Sequence, residues 1–325
     1  MNTIEQLQLL AIEIIEKENF NYEPKSLFLP IEYAMHQGGK RVRPFLVLLS
    51  CDCFSKDVSL AKYSAIAIEI LHNFTLLHDD IMDNSPLRRG KETVYKKYSI
   101  NSAILSGDAM FALAINKVME TPKKEITPFL AQEICLASIE ICKGQALDMS
   151  FEERDDVEIE EYIDMVRLKT SVLLGCALKL GAICAKASKE EQEIIYSFGE
   201  KLGIAFQIQD DILDCWSNVS TFGKIVGRDI LDKKKTFLYL KALSLLKDEK
   251  KENFKQLYNS SFENNEEKIF KVKQIYEELN IRDIAFNESL SYTNEAMEMV
   301  KRLSIDESKA ENLITFANIL LGREK

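Results

Sequence analysis

After Pro128 the chain runs for nearly two hundred residues without another proline, and the six prolines all fall at or before that point. A proline inside a helix removes a backbone donor and pushes its ring into the preceding turn. Only 12 glycines punctuate the 325 residues. No Val/Ile/Thr series bounded by turn dipeptides reads as a set of strands. Long helices are therefore the economical reading, and the apolar spacing agrees. Ile4, Leu7, Leu10 and Ile14 recur at helical intervals across residues 4–19. KYSAIAIEILHNFTLLHDDIMD, NSAILSGDAMFALAINKVME, ITPFLAQEICLASIEICKGQALDMSFE, EEYIDMVRLKTSVLLGCALKLGAICAK and EEQEIIYSFGEKLGIAFQIQDDILDCW each read as helix. Several are apolar nearly all round, which places them centrally in a large bundle. NYEPKSLFLP and NSPLRRGKETVYKKY read as loops, and Gly38–Gly39 as a break before a helix with Pro44 near its start. No Gly/Ser/Pro linker and no solenoid repeat divides the chain. Residues 1–325 read as one all-α domain.

Composition narrows the function. The net charge is −10, a poor match to a polyanionic nucleic acid. Seven scattered cysteines suggest buried thiols in a reducing compartment, not a disulfide framework. The acid-containing N-terminus does not read as a secretory signal. No run of about 18 apolar residues reads as a membrane span. The charged stretch from Lys247 to about Asn280 reads as solvated helices and loops.

Two acidic clusters carry the chemistry. Asp79 and Asp83 stand four residues apart in HDDIMD, so both share a helix face with His72 and Thr75. One such cluster is equally a solvated helix tip. A second occurs in FQIQDDILD, where Asp210 and Asp214 repeat the spacing with Gln207 one turn earlier. Two facing clusters would suit Mg²⁺, which takes one or two carboxylates and shares substrate phosphates. The three histidines are not placed for zinc. Basic residues recur nearby: Lys40, Arg41 and Arg43 after the glycine pair, Arg88 and Arg89 after the first cluster, then Lys169, Lys224 and Lys233–Lys235. Such residues are commonly ion pairs or solvated faces. Beside Mg²⁺ ligands they make joint sense if the ligand is a diphosphate.

Together these residues resemble the trans-isoprenyl diphosphate synthases, the polyprenyl synthetase family. GGKRVRP, DDIMD with its trailing RRG, KGQALD, RLKT, FQIQDDILD, and FGK followed by KKKT occur in the family's order from about Pro30 to Leu240. The resemblance implies a helical bundle around a deep central cavity. It implies head-to-tail condensation of isopentenyl diphosphate with an allylic diphosphate. Three Mg²⁺ ions are then expected: Asp79 and Asp83 for two, Asp210 for the third, with Asp211 and Asp214 in support. Arg88, Lys169 and Lys224 would contact the same diphosphate, and Lys235 would help close the site. Lys40, Arg43, His72 and Arg89 would hold isopentenyl diphosphate. Thr170, Gln207 and the Lys169 carbonyl would favour the allylic cation, and released pyrophosphate would take the proton. A homodimer is implied, for which SAILSGDAMFALAI could supply the interface or equally be core; the acidic composition fits a cytoplasmic protein. The chain departs from the family after RRG, where Glu92 and Tyr95 stand in KETVY, and again at Arg228.

In this family, residues just upstream of the first cluster floor the tail pocket. Phe74 and Thr75, an aromatic followed by a small residue, resemble enzymes that make farnesyl or geranylgeranyl diphosphate. A class I terpene cyclase would lack the isopentenyl set. A non-catalytic subunit would have lost acidic ligands. A structural cation binder would consume no isopentenyl diphosphate.

Overall fold

The computed structural model describes residues 2–216 and 227–322. Helix accounts for 78% of the described residues, so the fold is all-α. The described residues gather into two compact units. One comprises described residues within 1–139, 173–199 and 299–316; the other comprises those within 140–172, 200–216, 227–298 and 317–322.

In the first unit, α1 (Ile4–Glu16) opens on a capping box, Thr3 and Gln6 each accepting the other's backbone N–H. Residues 25–30, expected to be loop, join the expected helix at 31–35 to form α2 (Lys25–Met35), with Pro30 inside it. Pro30, Ile31, Ala34 and Met35 are buried, so packing outweighs the one missing donor. In α3 (Val42–Phe54) every residue from Pro44 to Cys53 is buried. Helix α4 (Lys62–Met82) is buried continuously from Ser64 to Leu71. Against it pack α1, α2, α3 and α6 (Ile100–Met119). Contact with α6 is close at Gly107, where a Cβ would run into the His78 ring.

Between α4 and α6 the expected polar loop is more ordered than that. Strands β1 (Leu87–Arg88) and β2 (Lys91–Glu92) form a hairpin, followed by α5 (Val94–Lys97). Arg89 and Gly90 turn it, both at positive φ (52° and 75°), as a two-residue type I′ turn requires. The Tyr33 hydroxyl and Gln37 Nε2 both donate to the Glu92 carbonyl, at 2.9 and 3.2 Å. By length and composition α6 is apolar enough to cross a membrane, which the reading of apolar runs missed. It nevertheless packs on α4, and Lys117 on it pairs with Glu18 at 2.7 Å. The unit also holds the first parts of α7 (Thr127–Glu153) and α10 (Lys189–Trp216), and nearly all of α9 (Val172–Cys184).

The second unit is built on α8 (Ile159–Val166), a π-helical turn at Arg167–Ser171, and residues 200–216 of α10. Short α11 (Arg228–Leu231) and α12 (Phe237–Leu245) follow. The charged stretch forms α13 (Asp248–Asn259) and α14 (Asn265–Glu278), ahead of α15 (Ile281–Val300). Most of its charges face outward, Lys268 being buried over the Tyr258 ring, and each helix also buries a pair spaced one turn apart: Phe254 with Tyr258, Val272 with Tyr276. These join Tyr162, Ile208, Ile212, Phe237 and Tyr239 in the core.

None of the seven cysteines is in a disulfide, and five are buried. Burial pushes the Cys53 thiol up to about 12, so it behaves as a small hydrophobe.

Candidate active site

The first acidic cluster lies where α4 ends. Asp83 is the C-cap, and its N–H donates to the Asp79 carbonyl at 2.8 Å. Asn84 follows at φ 49°. The N–H groups of Asn84 and Ser85 return to Ile81 and Asp80 at 3.2 and 3.0 Å, the pattern of a Schellman stop. The helix therefore ends with Asp79 and Asp83 one turn apart. Asp80, between them, is buried and accepts Arg88 Nε and Nη2 at 2.8 and 2.7 Å. Burial raises the Asp80 pKa against the pull of Arg88. Arg88 is thus engaged by a neighbouring carboxylate.

A basic cluster occupies the same unit. Arg43 Nη1 lies 3.1 Å from His72 Nε2. Burial, then Arg43, Arg89, Arg88 and Arg41 in turn, hold His72 well below its ordinary pKa. The imidazole is neutral at pH 7. Burial lowers Arg43 to about 10, still cationic, and its Nε is buried without a partner among the described residues. Arg89 donates to the Gly38 carbonyl and lies against Gly39, whose Cβ position is 2.8 Å from the guanidinium. Lys40 is exposed beside them. Arg41 was not assigned a role, and the reason it stands there is structural. At φ 47° it turns inward to Glu69 at 2.5 Å and to the Met35 carbonyl, while Asn73 donates to the Glu69 carbonyl at 2.8 Å. Breaking so buried a pair by removing one partner typically costs about 3–5 kcal/mol.

Phe74 is half-buried, 5.0 Å from the His78 ring and 5.9 Å from the Phe111 ring. The Thr75 hydroxyl donates back to the His72 carbonyl at 2.8 Å.

In the second unit, Asp210 and Asp214 stand one turn apart on α10. Asp214 Oδ2 accepts the Asp229 N–H at 3.1 Å. Asp211 points elsewhere and is buried. Its Oδ2 accepts the Tyr162 hydroxyl at 2.7 Å and the Phe237 N–H at 3.1 Å, and its Oδ1 accepts Gln207 Nε2 at 3.3 Å. Burial and nearby Asp229 push its pKa up to about 8. With Nε2 so occupied, Gln207 Oε1 faces Thr170, whose hydroxyl donates to it at 3.3 Å. Lys169 pairs with Asp148 at 2.5 Å. Lys235, 3.6 Å from Asp155, is buried against the Tyr239 ring. Lys169, Thr170, Gln207 and Lys235 line a cavity of about 220 Å³ with Asp148, Tyr162 and Asp229. Lys224 lies outside the described residues.

Lys169 and Thr170 sit in the π turn, a wide turn often found at functional sites. RLKTS was expected to continue a regular helix. The turn abuts Gly144 of α7, where a Cβ would collide with the Lys169 backbone. Tyr162, Asp148 and Asp229 escaped the sequence reading. Asp148 alone had a signal, its place in KGQALD; the other two are fixed by partners distant in sequence.

The donor set permits a test for Mg²⁺. Among the described residues no three His, Cys, Asp or Glu side chains form a metal cage. Paired carboxylates without a cage fit Mg²⁺, which keeps waters and borrows phosphate oxygens.

The polyprenyl synthetase family model matches residues 24–279. A crystal structure of a geranylgeranyl pyrophosphate synthase superposes with a TM-score of 0.94 at 41% identity, covering all of both chains. The geranylgeranyl diphosphate synthase of Saccharolobus solfataricus is 38% identical over 99% of each chain. The short chain isoprenyl diphosphate synthase of Methanothermobacter thermautotrophicus is 34% identical over 100% of this chain and 98% of its own. Matched over most of its length by the family and end to end by such relatives, this chain belongs to the polyprenyl synthetase family.

Proposed function

We propose that this chain is a trans-prenyltransferase acting as one catalytic domain. It condenses isopentenyl diphosphate head-to-tail with allylic diphosphates to give farnesyl or geranylgeranyl diphosphate. The observation that carries the reading is the division of labour between the two kinds of cluster. Arg43, Arg89 and neutral His72 make an anion site with a buried, unsatisfied Arg43 Nε. A phosphate oxygen would satisfy that donor and needs no metal there. Asp79 and Asp83, with Asp210 and Asp214, would hold Mg²⁺ on the allylic diphosphate, three ions in all. When bound, Mg²⁺ supplies charge neutralisation of the leaving diphosphate.

The chain's own residues do the rest. Lys169 and Lys235 add positive charge beside that diphosphate, and Arg88 does so from its seat on Asp80. Asp211 holds the Gln207 amide with its oxygen toward Thr170. Those oxygens are fixed before positive charge develops, so they cost no reorganisation as it does. Apolar walls around the prenyl chain would exclude water that would quench the cation. No side chain is required as the final base, since released pyrophosphate accepts the proton.

The enzyme works as a cytoplasmic homodimer in this reading. Ile104 and Leu105 on α6, with Leu136 and Ile139 on α7, are exposed apolar residues of the first unit and support a subunit interface.

The test is a product assay with Mg²⁺, labelled isopentenyl diphosphate and, separately, dimethylallyl, geranyl or farnesyl diphosphate. Labelled alcohols of fifteen to twenty carbons after dephosphorylation, abolished by EDTA, are the expected outcome. Folded protein that elongates no starter sinks the proposal.

A further inference from the structure

The charged stretch after Lys247 has no part in the mechanism so far. Its structure links it to the second acidic cluster. Short α11 ends in a Schellman stop: Lys233 N–H returns to Ile230 at 3.3 Å and Lys234 N–H to Asp229 at 2.9 Å. Lys233 holds the left-handed position at φ 56°, a place usually given to glycine. A turn closed by a lysine there needs outside support. Tyr258 of α13 provides it. Its hydroxyl donates to the Lys234 carbonyl at 2.7 Å and lies 3.3 Å from the Asp229 carbonyl. The same Asp229 presents its N–H to Asp214 Oδ2 at 3.1 Å. One hydroxyl thus donates to one end of the turn and sits against the other, and that turn's amide orients an acidic-cluster carboxylate. The grip is rigid because the Tyr258 ring is fully buried and stacks on Tyr239 with centroids 4.1 Å apart.

We propose that Tyr258 is a positioning residue for the allylic-diphosphate half of the site, setting the Asp214 carboxylate and the Lys234–Lys235 ammonium groups through the Asp229–Lys234 turn. The exposed charges of α13 and α14 keep that scaffold solvated, while its buried face, where Lys268 also sits over the Tyr258 ring, does the positioning. The proposal rests on the prenyltransferase reading.

Tyr258→Phe deletes the hydroxyl and keeps the ring. Binding of inorganic pyrophosphate with Mg²⁺, followed by calorimetry, is expected to weaken about three- to tenfold, the worth of one net hydrogen bond. The KM for the allylic substrate should rise in step, with the KM for isopentenyl diphosphate within twofold of the unaltered enzyme. Phe254→Leu, a packing lesion in the same aromatic bed, should lower the melting temperature without weakening pyrophosphate binding. Unchanged pyrophosphate binding in Tyr258→Phe overturns the proposal. So does an equal rise in both KM values, or a matching binding loss in Phe254→Leu. Hydrogen exchange on the unaltered protein decides the case even if the variant does not fold: amides of residues 229–234 should be protected, and exchange at free-loop rates refutes the grip. Failure of the unaltered enzyme to make prenyl products would strike the underlying reading instead, and the pyrophosphate and exchange results would stand apart from it.

Discussion

Phe74 stands five residues before Asp79, about 7–8 Å down the helix axis at ~1.5 Å per residue. Its ring is braced by His78 and Phe111, so it presents a fixed obstacle. Phe74→Ala is expected to lengthen the main product by at least one isopentenyl unit, read by sizing the dephosphorylated alcohols; an unchanged profile would show that Phe74 is only core. His72 offers a second residue-level test. Its folded pKa is depressed far below the ordinary 6.5. Its contribution is therefore complete above pH 6.5 and is lost as pH falls from there toward the folded value, because the unfolded chain takes the proton first. The loss is at most about 1.4 kcal/mol per pH unit. Urea unfolding at pH 7.5 and 5.5 should show a larger acid loss for the native chain than for His72→Gln. That Asp79 and Asp83, and likewise Asp210 and Asp214, stand one turn apart on a helix was legible because spacing within one helix decides which side chains share a face. Tyr162 was not, because its hydroxyl meets Asp211 across 49 positions.

At the scale of elements, Gly144 decides whether the π turn can sit where it does. A methyl group there would meet the Lys169 Cα at 2.7 Å and its backbone nitrogen closer still. Gly144→Ala should destabilise the fold by about 1–3 kcal/mol, as overpacking does. It should also cut kcat at least tenfold by displacing Lys169 and Thr170. Chemical denaturation and steady-state turnover measured together check both parts. The long helices were read nearly to their ends, since a 3.6-residue apolar period is a local property. Residues 25–30 and the π turn were misread for one shared reason. Local propensity argued against or said nothing about each, and burial against other elements decided both.

For the whole molecule, the apolar residues exposed on α6 and α7 carry the prediction. Leu105 is 61% exposed and Ile139 53%, large values for such side chains in an uncovered surface. Sedimentation equilibrium should find a dimer. Leu105→Glu or Ile139→Glu should weaken it at least tenfold. A native monomer, or a variant as dimeric as the native chain, would place the interface elsewhere or nowhere.

By itself the amino-acid order determined the helical class, the helix end at Asp83, and the pairing of carboxylates on each acidic face. Each of these depends on neighbours within a turn or two, where chain geometry leaves little choice. Tertiary structure alone decided that Asp211 turns inward to Tyr162 while Asp214 takes the Asp229 amide. It alone left Arg43 Nε unsatisfied beside a neutral His72, and put Tyr258 under the Asp229–Lys234 turn. Those outcomes join residues from 15 to 49 positions apart. They follow from which polar groups burial forces to find partners, and periodicity does not encode that.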